Sequence, residues 1–217
     1  MKKVFSLALS ALLVVPALAS AETEVNAKLS TLGLGAEVIL PAYNTVDARF
    51  GLNTFHRSVT RAYTSGGAVT NLTGNLNLQS VEALADWHPF DGAFRLSGGL
   101  IYNNNSFSLT AAPGSGTFNV HGIPTQIGAG QSVNANVDFN KVAPYIGFGF
   151  GSSPKKSGLS FTSDIGLMYQ GTPRTSVTSN VTGTTAADIA KANADLSSSL
   201  HRFNLYPVVS VGIGYAF

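Results

Sequence analysis

Large apolar side chains recur at every second position along most of this chain, and the residues between them are small or polar. A period of two is the mark of a β-strand, whose successive side chains point to opposite faces. The last segment is the plainest case: Val209, Val211, Ile213, Tyr215 and Phe217 alternate with Ser210, Gly212, Gly214 and Ala216. Earlier, Leu32, Leu34, Ala36 and Val38 alternate with Gly33, Gly35 and Glu37, and after "LPAYNT" the row Val46, Ala48, Phe50 and Leu52 alternates with Asp47, Arg49, Gly51 and Asn53. "HPFDG" joins a strand ending at Trp87 to Phe94, Leu96, Gly98, Leu100 and Tyr102, and "SSPKKSG" joins Val142, Ile146, Phe148 and Phe150 to Leu159, Phe161, Ile165, Leu167 and Tyr169. Three short turns, at 41–44, 88–92 and 151–157, thus define six strands; the C-terminal strand is a seventh, and a weak Thr and Val alternation from Thr175 to Thr182 an eighth.

Between these segments the pattern is less regular. Residues 56–73 are polar and read as a loop or as strand ends projecting beyond the main sheet, and 108–132, rich in Gly, Pro and Thr, as a long loop. In the strand ending at Trp87 the apolar phase slips, with Leu76 and Leu78 on even positions and Val81, Ala83 and Ala85 on odd ones, which predicts a β-bulge near Gln79 to Ser80. The alanine-rich segment 185–202 is the single helical candidate. Counted this way, eight strands place the three short turns at the end of the sheet away from the N-terminus and seven place them at the same end as the C-terminus, so the direction of the hairpins stays open.

Composition decides what the apolar faces meet. Charged residues are 11% of the chain, against the usual ~25%. A soluble barrel that binds a ligand inside, the alternative reading, would carry charges outside and an apolar interior. Here apolar rows lie opposite Glu37, Asp47, Arg49, Asp164 and glycines. Residues 1–21, with "MKK", an apolar stretch and "ALASA", predict a cleaved secretory signal, leaving 22–217 as one domain. Removing Lys2 and Lys3 leaves 11 bases against 11 acids, and nothing in that balance points to nucleic acid. There are no cysteines, so no disulfide, thiolate nucleophile or cysteine-bound metal is available. After the signal no run reaches 18 apolar residues, so no spanning helix is expected. In hydrocarbon, the remaining way to satisfy every backbone group is a closed barrel. The expected fold is therefore all-β: an antiparallel transmembrane β-barrel of eight strands with one short helical segment.

Strand parity turns Glu37, Asp47, Arg49, Glu82, Asp86, Arg95 and Asp164 away from lipid. An eight-stranded barrel is just wide enough for side chains to fill, so these residues are expected to pair inside it, as a plug that satisfies its own charges or as the lining of a narrow passage. Trp87, Phe90, Tyr102, Tyr169, Tyr206 and Tyr215 fall near strand ends, where aromatic girdles or plain strand propensity both place them. His56, His88, His121 and His201 share no metal-ligand spacing, so neither metal nor cofactor is expected. "HRS" sets His56 and Ser58 on one side of a strand end, a weak hint of a hydrolase set against simple loop polarity.

"ADWHPF" with "FRLSGGLIYN", then "VAPYIGFGFG" and "YPVVSVGIGYAF", resemble the strand and turn pattern of small Gram-negative outer-membrane β-barrel proteins, the group that includes the OmpA transmembrane domain, OmpX and OmpW. The resemblance implies an outer-membrane location with outer-membrane lipid as the surroundings, a monomer, and a structural or passive-transport role without enzymatic activity. A lipid-modifying hydrolase is a lesser alternative. It also implies that Val211, Ile213, Tyr215 and Phe217 are read by the barrel-assembly machinery. The helical segment before the last strand departs from the smallest members of the group.

Overall fold

In the computed structural model, residues 23–65, 68–115, 117–120, 123–126, 130–151 and 157–217 are described. The expected signal at 1–21, His121 and most of the "SSPKKSG" turn lie outside the described residues. The strands are β1 (Glu24–Ser30), β2 (Gly33–Tyr43), β3 (Val46–Ser65), β4 (Ala68–Trp87), β5 (Phe94–Asn103), β6 (Ser106–Ser115), β7 (Thr117–Val120), β8 (Ile123–Gln126), β9 (Val133–Asp138), β10 (Val142–Phe150), β11 (Gly158–Tyr169), β12 (Arg174–Ser179) and β13 (Leu205–Ala216). A helix, α1 (Ala186–Leu200), precedes the last of them.

Eight of these strands close a ring, in the order β1-β2-β3-β4-β5-β10-β11-β13 and back to β1, with every pairing antiparallel. Followed from Leu29 through β2, β3 and β4, the pairing arrives beside Asn104; followed through β13, β11 and β10, it arrives at Phe94. That stagger of ten residues tilts the strands against the barrel axis, as closure requires. The outer face is apolar: Leu34 is 61% exposed, Phe161 70% and Ile146 71%. Arg49 and Arg95, inside, are each 1% exposed. This inversion of the usual inside and outside is that of a barrel solvated by lipid.

The eighth ring strand is β1, not the Thr175 to Thr182 alternation. That segment does form a strand, β12, but it stands outside the ring. β1 escapes the apolar pattern because its outward row, Val25, Ala27 and Leu29, is short and has an alanine at its centre. With β1 in place, the two ends of the described chain and the connections from β2 to β3, β4 to β5 and β10 to β11 fall at one end of the barrel, while the two-residue turn at 31–32 lies at the other. The strand number is even and the tall strand extensions leave the opposite end, so by the rule of short inner turns and long outer loops the end with the termini is taken as the periplasmic one.

Above the opposite end, one side of the barrel continues upward. β6 carries on from β5 past Asn104 and Asn105, β9 leads down into β10 through 139–141, and β12 carries on from β11 past 170–173. Hydrogen bonds bridge the breaks: Asn103 N to Lys141 O at 2.7 Å and Asn140 N to Gln170 O at 3.1 Å. With the upper halves of β3 and β4, these strands build a wall in the order β3-β4-β6-β9-β12. Strands β6 to β8 thus span much of 108–132, where the sequence predicts a loop. The Gly, Pro and Thr of this stretch read as turn residues and conceal them.

The expected bulge at Gln79 to Ser80 does not form. The register of β3 with β4 runs unbroken from Val46↔Trp87 to Ser65↔Ala68. The phase slip has another cause. Within the ring, β3 and β4 turn Phe50, Leu52, Val81 and Ala83 outward; above Thr54 and Gln79 that same outer face carries His56, Ser58, Thr60, Asn77 and Asn75. The opposite face changes from Arg49 and Glu82 to Phe55, Val59, Leu76 and Leu78. The strand does not shift; it leaves the membrane, and the solvent that selects its apolar face changes. The helix forms where expected, opened by a capping box between Thr185 and Asp188, and its Asn193 bonds to Thr175 and Val177 of β12.

Candidate functional site: the barrel interior

Alternation sends every second residue of the ring strands inward, and the interior is filled in layers. At the periplasmic end Glu24 Oε1 accepts from Ser160 Oγ at 2.6 Å, and Asn26 Nδ2 donates to Glu37 Oε1 at 3.2 Å. Lys28 Nζ lies 3.1 Å from Glu37 Oε2 and 2.7 Å from Glu82 Oε2. Asn53 Nδ2 donates to Glu82 and, at 3.0 Å, to Ser80 Oγ.

Asp164 is the hub of the middle layer. Arg95 Nη2 approaches its two oxygens at 2.9 and 3.0 Å, Arg49 Nη1 binds Oδ2 at 3.1 Å, and Ser210 Oγ donates to Oδ2 at 3.2 Å. Arg49 Nη2 reaches Asp86 Oδ1 at 2.8 Å and Ser97 Oγ at 3.0 Å, while Ser97 donates to Asp86 at 2.6 Å. The planar, forked guanidinium suits this multiple engagement. Small residues make room for it: a Cβ on Gly151 would meet the Arg95 guanidinium, and one on Gly149 the Asp164 carboxylate.

Above the charges lies an apolar layer of Leu32, Leu84, Ile101, Ala143, Tyr145, Met168 and Val208. The Tyr145 ring crosses the bare backbone of Gly147 and Gly166, where a Cβ would collide with it. A void beside Lys28, Arg49, Glu82, Tyr145 and Asp164 has about 10 Å³ to spare, room for roughly one water. The described side chains fill this part of the lumen and hydrogen-bond across it.

Of the ionisable residues singled out in the sequence, Glu37, Arg49, Glu82, Asp86, Arg95 and Asp164 come together in this network. Asp47 does not join it. Asp47 Oδ2 lies 3.1 Å from His88 Nε2 at the periplasmic turn, and His88 Nδ1 lies 3.0 Å from Gly92 O. The bond to Asp47 raises the His88 pKa above its ordinary value, against the effect of burial. Sequence reasoning missed Lys28 and Glu24 because it missed β1, whose alternation of Glu24, Asn26 and Lys28 against Val25, Ala27 and Leu29 was the available signal. Val211, Ile213, Tyr215 and Phe217 point outward on β13 and its end, with the rings of Tyr215 and Phe217 5.2 Å apart. Phe217 N donates to Thr23 O at 2.9 Å, so the final residue helps close the ring.

His56 and Ser58 stand on the outer face of upper β3, both exposed, opposite Asn77 and Asn75. Among the described residues no hydrogen bond joins them, and no group of three or more His, Asp or Glu side chains is placed to hold a metal ion.

No protein-family model and no curated protein matches the chain. Among solved structures it is similar to Acinetobacter baumannii CarO2, at TM-score 0.60 and 23% identity, covering 90% of this chain and 98% of that one. It is also similar to Acinetobacter baumannii CarO, at TM-score 0.56 and 22% identity, with the same coverage of 90% and 98%. At these identities the likeness shows the fold: a closed β-barrel of outer-membrane type, matched along nearly its whole length.

Proposed function

We propose that this chain is an integral outer-membrane protein whose barrel serves as an anchor rather than an open channel, and whose task is to hold the tall wall and α1 outside the membrane. The observation that carries this reading is the filled lumen, in which Arg49, Arg95 and Asp164 are tied together below a packed apolar layer. On this reading residues 1–21 direct export, outer-membrane lipid surrounds the ring, the protein is a monomer without enzymatic activity, and Val211 to Phe217 form the end taken up by the barrel-assembly machinery.

Purified protein inserted in planar bilayers tests it. The expected record is a baseline without steady current steps. Sustained steps would replace the anchor with a passage, and their ion preference would be toward cations, because Glu24, Glu37, Glu82, Asp86 and Asp164 outnumber Lys28, Arg49 and Arg95 inside.

A further inference from the structure

β2 stops pairing with β3 at Leu34↔Thr54, yet β3 continues to Ser65, held on one side only by β4. From Thr54 to Thr64 every residue is exposed. Over this length every second N–H and C=O points away from the sheet with, among the described residues, no strand to meet it. The opposite edge of the wall is treated differently: on β12, Val177 N bonds Asn193 Oδ1 of α1 at 3.1 Å, so the helix covers that edge. Upper β3 has no proline and no bulge and, among the described residues, no such cover.

The side chains beside this edge are ordered. Phe55, Arg57, Val59, Arg61 and Tyr63 share one face, apolar and basic in strict alternation, with Val59 41% and Tyr63 59% exposed. Among the described residues neither arginine has a salt bridge. A second copy of this chain is a poor match. Antiparallel pairing centred on Val59, which sets Phe55 against Tyr63, also sets Arg57 against Arg61 twice, and like charges directly opposite are destabilising.

We propose that the free edge of β3, Phe55 to Thr64, is a docking edge for an extended acidic segment of another protein, taken up by strand addition. The backbone supplies the attachment and the alternate side chains supply the selectivity. The register defines the segment: apolar, acidic, apolar, acidic and apolar residues at every second position, with polar residues between them to lie beside His56, Ser58 and Thr60. Because this order reads the same in both directions, it fits parallel or antiparallel. The proposal requires only that the wall stand clear of the membrane, so it holds even if the lumen conducts.

The full chain in lipid nanodiscs, titrated with an eleven-residue peptide in which Val, Glu, Val, Glu and Val alternate with Thr, tests it. The expected result is saturable binding that weakens with salt, slower amide exchange across 55–64, and at least about tenfold weaker binding when Lys replaces Glu. The double variant R57E/R61E should reverse that preference. Peptides N-methylated at odd or at even positions separate the mechanisms: one of the two series should lose binding, since only one set of amides faces the edge. No binding, equal binding of the Glu and Lys peptides, or indifference to both methylations would overturn the proposal. Displacement of the peptide by vesicles of anionic phospholipid, with methylation without effect, would assign the arginines to lipid headgroups instead and equally overturn it.

Discussion

Arg49 binds more of the interior than any neighbouring cation: Asp86 at 2.8 Å, Asp164 at 3.1 Å, Ser97 at 3.0 Å and Glu37 at 3.8 Å. Replacing it with methionine keeps a long, flexible chain in the space but leaves these carboxylates sharing one fewer positive charge in a region with little water. Removing one partner of a buried ion pair costs about 3–5 kcal/mol. Arg95 still holds Asp164 and Lys28 still holds Glu37, so we expect the lower end, about 3 kcal/mol. With a slope of about 2 kcal/mol per molar urea, the midpoint of unfolding from phospholipid vesicles should fall by roughly 1.5 M. Trp87, the single tryptophan, faces outward and reports the transition by fluorescence, with the gel mobility of unheated samples as a second probe. Adding Asp164→Asn to Arg49→Met should recover part of the loss, because the two residues are coupled, whereas Arg57→Met on the exposed wall should leave the midpoint in place. A fall of less than about 0.5 M for Arg49→Met would refute the view that the lumen network braces the ring.

Three further outcomes follow from particular contacts. The raised pKa of His88, from its bond to Asp47, makes the folded state bind a proton more tightly than the unfolded one; the stabilisation is complete below the ordinary value of about 6.5 and is lost as pH climbs through the raised value. The stability difference between the wild type and His88→Gln should therefore shrink between pH 5.5 and pH 9 in urea titrations, and a constant difference would count against the pair. Gly166→Ala drives a methyl group into the Tyr145 ring and should lower stability by roughly 1–3 kcal/mol, read as an earlier melting of the unheated gel band. Deleting Phe217 should reduce insertion in cells far more than refolding into pure phospholipid, since the folded ring loses little beyond the bond to Thr23 and the contact with Tyr215; equal effects in the two settings would leave no special role for that residue in assembly.

The parts of the fold legible in the sequence are those that lipid shapes. Phe50 and Leu52, Leu96 and Leu100, and Phe161 and Ile165 declare their strands because one face meets hydrocarbon along its whole length, and the turns between them carry Asn, Gly, Pro or Asp. The inward placement of Arg49, Arg95 and Asp164 follows from the same parity. What escaped was shaped otherwise. β1 has few large outward residues, so the ring's first strand and Lys28 went unseen. β6 and β9 meet no hydrocarbon and pack Ala111 and Val133 against Leu72 and Val181, so Ser, Thr and Asn interrupt them and imitate a loop. In β4 the change of apolar parity at Gln79 imitates a bulge, because a period-two pattern records which face is greasy and not which medium the strand is in.

That change of medium can be measured directly. The chain has no cysteine, so single cysteines at Phe50, Leu52, Asn53, His56, Val59, Thr60 and Tyr63 in the membrane-inserted protein can each be offered a membrane-impermeant maleimide. Phe50 and Leu52 should stay unlabelled because they face lipid, and Asn53 because it is buried in the lumen. His56, Val59, Thr60 and Tyr63 should label whichever face they occupy, placing the boundary at Thr54. Continued protection of His56 and Thr60, or free labelling of Phe50 and Leu52, would contradict the picture of a lipid-embedded ring from which β3 and β4 rise into water.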